Sequence, residues 1–172
     1  MSIRLTVSKP LRQLAAAAVA LCALGSCSNS DDNRVPPYPV RISFVTVGDW
    51  NVYGVGGALD YRYFTKSNPT QPADFPYTML SETGFGGVLL VGDILGQPRA
   101  YDLACPVEAK RDVRIYVDRE KSVGVCPVCH STYEVFELGN AISGEAAAHG
   151  YSLRQYSVAV GLTGTEYAVI RN

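Results

Sequence analysis

Two loops, Cys105-Pro106-Val107-Glu108 and Cys126-Pro127-Val128-Cys129-His130-Ser131, open on the same tripeptide and bracket the run Val113-Arg114-Ile115-Tyr116-Val117-Asp118. Apolar residues alternate through that run, as a half-buried strand requires. A strand and a turn between two Cys-bearing loops can bring the loop tips together, as metal knuckles do. Proline after the first Cys fixes one backbone angle and removes a competing donor, which leaves nearby amides to point at sulfur. The pattern predicts a small two-loop subdomain of metal-binding type over about 101–146.

The remainder reads as short strands between turns. The stretch 40–47 is a first strand, and 50–57, rich in Gly and aromatics, is a loop packed on the core. Tyr61, Tyr63 and Phe64 follow, and the three prolines of 67–76 mark an exposed loop. Strands are expected at 77–80, 88–91, 113–118, 132–138, 153–160 and 165–170, with at most one helical turn within 139–150. Gly84-Phe85-Gly86-Gly87 is a turn and not a phosphate loop, because no Gly-Lys-Ser/Thr ending or helix follows it. Strands of this length, with no convincing amphipathic helix after residue 30, predict an all-β antiparallel sandwich or barrel with under about a tenth helix.

Residues 1–26 stand apart. Arg4, Lys9 and Arg12 precede an apolar run of about eleven residues at 14–24, too short to span a membrane at ~20 residues. The run ends in Leu24-Gly25-Ser26-Cys27, which resembles the lipobox of bacterial lipoproteins. That resemblance implies cleavage before Cys27, lipid on Cys27, loss of Cys22 with the signal, and attachment to a membrane. Ser28, where Asp would favour inner-membrane retention, points to the outer membrane of the cell envelope, and Asp31-Asp32 resembles a surface-export tag. A tether at 27–39 then leads into one domain at 40–172, long enough for a real core. A net charge of −1 without a basic run gives no argument for nucleic acid.

Three thiols remain for the domain: Cys105, Cys126 and Cys129. An odd number in an oxidising compartment argues for a metal, or for one disulfide and a leftover thiol. From Gly87 to about Ile170 the chain resembles the Rieske-like domains of bacterial envelope lipoproteins. The resemblance lies in Cys126-Pro127-Val128-Cys129-His130-Ser131-Thr132-Tyr133, the Ile142-Ser143-Gly144 turn and the Leu153-Arg154-Gln155-Tyr156 strand. It implies electron transfer through a [2Fe-2S] cluster held by a Cys and a His from each loop, with an envelope redox protein as partner.

The ligand positions depart from the family pattern. Val107 stands at the first His and Cys129 at the second, while His130 falls on the family's Gly. A Cys2His2 cluster is therefore excluded on this alignment. Glu108 holds the place in its loop that Cys129 holds in the other, the spacing of a zinc-ribbon or rubredoxin knuckle with one Cys replaced by carboxylate. The candidate ligands are Cys105, Cys126 and Cys129, with Glu108 or His130 as the fourth. A [2Fe-2S] cluster, a zinc or single iron ion, and a metal-free site stay open at this point. In the last case the fold would act as a non-catalytic envelope binding or structural module. His149 reads as a surface or packing residue, and Asp102 and Glu134 as hydrogen-bonded groups. No nucleophile–base arrangement can be argued, so an electron carrier or binding module is a better reading than an enzyme.

Overall fold

The computed structural model describes residues 33–67 and 69–172. In chain order the strands are β1 (Val40–Phe44), β2 (Tyr61–Phe64), β3 (Glu82–Thr83), β4 (Val88–Gly92), β5 (Pro98–Asp102), β6 (Tyr116–Asp118), β7 (Val123–Val125), β8 (Thr132–Tyr133), β9 (Ala141–Ser143), β10 (Gln155–Thr163) and β11 (Glu166–Arg171). Among the described residues two short helices, α1 (Val47–Tyr53) and α2 (Gly144–His149), complete the elements. The fold is all-β. Seven strands in the order β2-β4-β5-β10-β11-β1-β3 form an antiparallel sheet curled into a half-barrel, and β6-β7-β8-β9 form a smaller sheet.

Strand β4 explains how the two parts share one core. Val88 and Leu90 pack with Ile42, Phe44 and Phe64 inside the curl, whereas Leu89 and Val91 pack with Tyr101, Leu103 and Leu153 beneath the smaller sheet. Successive side chains of a strand face opposite ways, so a strand buried on both faces is apolar throughout. Each such fully buried side chain contributes about 1.5–3 kcal/mol. On β5 and beyond, Tyr101, Leu103 and Cys105 alternate onto the face under the smaller sheet, which delivers Cys105 to the junction.

Asp102 points the other way. Its carboxylate, fully buried, accepts from the amides of Phe85 (2.8 Å), Gly86 (2.9 Å) and Ala104 (2.7 Å) and from the Tyr156 hydroxyl (2.6 Å). This fastens the 84–87 turn to β5 and β10. Gly84 is required there: at φ +73° a Cβ would lie 2.5 Å from the Tyr156 hydroxyl oxygen and 2.9 Å from the Asp102 carboxylate.

Several elements differ from expectation. The stretch 50–57 is not all loop: Val47–Tyr53 is α1, nucleated by a capping box in which Thr46 Oγ1 accepts from Asp49 N and Asp49 Oδ2 accepts from Thr46 N. Seven residues are too few to show an amphipathic period. No strand forms at 77–80, where Ser81 Oγ accepts from Thr78 N and Thr78 Oγ1 from Leu80 N, turning the chain locally. The 113–118 strand pairs regularly only from Tyr116, after one bridge between Ala104 and Arg114. The 132–138 strand ends at Tyr133, because Glu134 O takes the amides of Glu137 and Gly139 in a turn.

The proposed leader at 1–26, the proposed lipidation residue Cys27 and the proposed tether up to 32 lie outside the described residues. Beyond them the chain is already docked: Val35 is fully buried, its carbonyl accepts from Arg154 Nε at 2.7 Å, and Arg34 lies over the Tyr151 ring. Among the described residues no helix is long and apolar enough to cross a membrane.

Candidate metal centre

The two Cys-Pro-Val loops fold alike. In the first, Ala109 N donates to Cys105 O at 2.8 Å; in the second, His130 N donates to Cys126 O at 3.2 Å. Each loop thus closes a five-residue turn whose last residue is left-handed, Ala109 at φ 48° and His130 at φ 56°. Left-handed backbone costs a non-glycine residue about 1–2 kcal/mol, and here it occurs at the same position twice. Each loop is also closed behind its Cys, Cys105 N donating to Val113 O and Cys126 N to Ser131 O, both at 3.0 Å.

The tips meet. Among the described residues, the sulfurs of Cys105, Cys126 and Cys129 form one group in which all lie within 4.8 Å of one another. Cys105 Sγ and Cys129 Sγ are 3.6 Å apart, and all three cysteines are free thiols. Cys105 and Cys126 are buried and Cys129 is half-buried, so the group lies at the edge of the core with one side toward solvent.

The second loop supplies the polar surroundings. Burial pushes the Cys126 thiol up to about 12, against the opposing pull of the Cys129 and Val128 amides directed at its sulfur. Burial also opposes ionisation of Cys129, but the Ser131 hydroxyl and amide, with the Cys126 and Cys105 thiols, together hold that thiol below its ordinary value. Ser131 is itself fully buried; its Oγ lies 3.3 Å from Cys129 Sγ and accepts from Ala146 N in α2. Gly144, at the start of α2, makes that approach feasible, since a Cβ there would lie 2.8 Å from Ser131 Cα. The Tyr133 hydroxyl lies 3.4 Å from Cys105 Sγ, and burial raises its pKa.

The remaining sequence candidates are placed as follows. Glu108 occupies the position in the first loop that Cys129 occupies in the second, but its carboxylate faces Lys110 Nζ at 3.7 Å and does not join the sulfur group. His130 is exposed, and its imidazole is not in the group either. His149 stacks on Tyr151 at 5.2 Å. Glu134 accepts from Asn140 Nδ2. Sequence reasoning assigned no role to Ser131 or Tyr133; they reach the sulfurs through the left-handed turn at His130 and the start of β8, which no local pattern in the sequence announces.

Three thiols converging on one point, at the junction of two loops and lined by amide and hydroxyl donors, can bind a metal ion. Comparison with known proteins found no matching family model, no matching curated protein and no matching solved structure.

Proposed function

We propose that this chain is a Rieske-like protein of the bacterial envelope, anchored through lipid on Cys27, that holds one metal ion on Cys105, Cys126 and Cys129 and exchanges electrons with a partner protein. The observation that carries the metal reading is the sulfur geometry. Thiolates 2.3 Å from a tetrahedral ion lie roughly 3.8 Å from one another, close to the 3.6 Å between Cys105 and Cys129. A [2Fe-2S] cluster instead divides its four protein ligands between two irons, and Val107 removes one of the His positions such a cluster would use. Three sulfurs around one point favour a single ion.

The matching turns of the two loops support Glu108 as fourth ligand, because it holds the same position in its turn as Cys129 does in the other. The pairing with exposed Lys110 is long, and a cation among three thiolates competes for that carboxylate far more strongly. A single iron would supply one-electron exchange at this place, and zinc a structural cross-link. The protein's part is to keep the sulfurs converged, to stabilise their negative charge through the Val128, Cys129 and Ser131 amides and the Ser131 hydroxyl, and to shield Cys105 and Cys126 from water.

A metal-free envelope module is the second reading. It is favoured by one observation: among the described residues only three donor atoms converge, and the Glu108 carboxylate faces Lys110. Metal and acid-labile sulfide analysis of full chain purified without oxygen from iron- and zinc-replete cells separates the two. The expected result is about one ion per chain and no labile sulfide. Two irons with labile sulfide would favour the cluster, and three titratable thiols with no metal would favour the second reading. The anchor is tested separately: Cys27→Ser should accumulate as unprocessed precursor, and normal processing to a soluble product would refute lipidation.

A further inference from the structure

A cleft of about 250 Å³ opens where the 84–87 turn, the end of β2 and the segment after the first Cys loop meet, and its charged lining is Lys66, Arg111, Arg114 and Asp112. Three cations against one carboxylate is a local excess in a chain whose formal net charge is −1. Arg41 and Arg62 take carboxylates, Glu166 and Asp60, each at 2.7 Å. The cations of the cleft are held instead on carbonyls and aromatic rings, as Arg154 and Arg34 are outside it. Lys66 Nζ donates to Ser81 O at 2.7 Å. The Arg111 guanidinium lies over the rings of Tyr38 and Phe85, 4.0 and 4.9 Å from their centroids. Arg114 Nε donates to Gly86 O.

The contacts of Lys66 and Arg111 orient positive charge without placing a carboxylate on it. A backbone carbonyl and aromatic faces hold these two cations in place, and the ring contacts of Arg111 use none of its N–H donors. The Phe85 and Gly86 amides are spent on Asp102, so a ligand here would be gripped by side chains, with the Thr83 hydroxyl also lining the space. A concave site walled by protein strengthens such charges relative to an open surface.

We propose that this cleft binds a small ligand through an oxyanion group, a phosphate or a carboxylate, using Lys66 and Arg111 as its principal contacts and Arg114 as support. The site is separate from the three sulfurs, and the proposal does not depend on a metal being bound.

The test titrates the full chain at low ionic strength with inorganic phosphate and, separately, with glucuronate, following binding by calorimetry and amide NMR shifts. Saturable one-site binding of either probe is expected, with shifts centred on residues 83–87 and 111–114. Phosphate alone would identify a phosphate group, glucuronate alone a carboxylate, and both a site for either oxyanion. Lys66→Gln and Arg111→Gln should each weaken binding about tenfold, the loss expected for one charge-assisted contact, while Lys121→Gln in the β6–β7 turn leaves it unchanged. Should Arg111→Gln fail to fold for want of its aromatic contacts, Lys66→Gln still decides. No saturable binding of either probe, or binding by Lys66→Gln equal to that of the parent chain, would overturn the proposal.

Discussion

Cys126→Ser should lower the bound metal from about one ion per chain to less than about a tenth, and bring the thermal midpoint down to that of parent chain treated with chelator. Cys126 is fully buried, as Cys105 is, and its sulfur faces the amides of Val128 and Cys129. Serine keeps the size and the polar contacts but offers a hydroxyl that stays protonated near neutral pH, leaving two thiolates for a site built around three. Metal affinity is folding energy when the ligands come together only in the native state; in isolated zinc-finger peptides the linkage reaches about 10–16 kcal/mol. The loss here should be smaller, because Cys105 and Cys126 belong to a core that includes Leu89, Tyr101 and Leu153 whether or not an ion is present.

The same site carries a pH signature. With Cys126 pushed up to about 12 before metal enters, binding must displace its proton. Affinity should therefore fall as pH falls, by about tenfold per unit for each proton released. Chelator should no longer affect the midpoint of Cys126→Ser. A variant that keeps one ion per chain at unchanged affinity would sink the three-thiolate reading.

How far this could be read in advance differs between backbone and site. Short strands bounded by Gly and Pro were legible as an all-β fold because strand length and turn chemistry are local properties. Strand β4 was legible as a strand, but not as the wall between two cores, since burial on both faces depends on what packs against each. Helix α1 was hidden because its signal is one capping box, Thr46 with Asp49, split between a stretch read as strand to 47, which ends at Phe44, and one from 50 read as loop. The convergence of Cys105 with Cys126 and Cys129 followed from the repeated tripeptide and the strand between. The left-handed backbone at Ala109 was not legible, because Ala rarely adopts it; at His130 the family's Gly at that position was the signal. The oxyanion cleft was also invisible: Lys66, Arg111 and Phe85 are scattered along the chain, and only the fold brings them together.

Asp102→Ala should produce the largest loss of stability unrelated to metal, about 4 kcal/mol or more. Asp102 is fully buried, and its two oxygens accept four hydrogen bonds, from Phe85 N, Gly86 N, Ala104 N and the Tyr156 hydroxyl. Burial raises its pKa, and those four donors oppose the rise. Truncation leaves all four donors without their acceptor in a space the methyl group cannot fill, at about 1–3 kcal/mol for each donor left buried and unpaired. Some relief comes if water enters, so the sum is an upper bound and the lower figure is the prediction. Tyr156→Phe removes one donor and keeps the acceptor, and should cost about 1 kcal/mol. The two together separate the hub from a single contact: if the carboxylate organises the 84–87 turn, Asp102→Ala should also broaden the amide NMR signals of 84–87, whereas Tyr156→Phe should not. Urea unfolding of both variants against the parent chain measures this, read as a shift in midpoint at unchanged slope. An Asp102→Ala variant within 1 kcal/mol of the parent would mean that the turn is held by its backbone and its glycines, and that the buried carboxylate is dispensable.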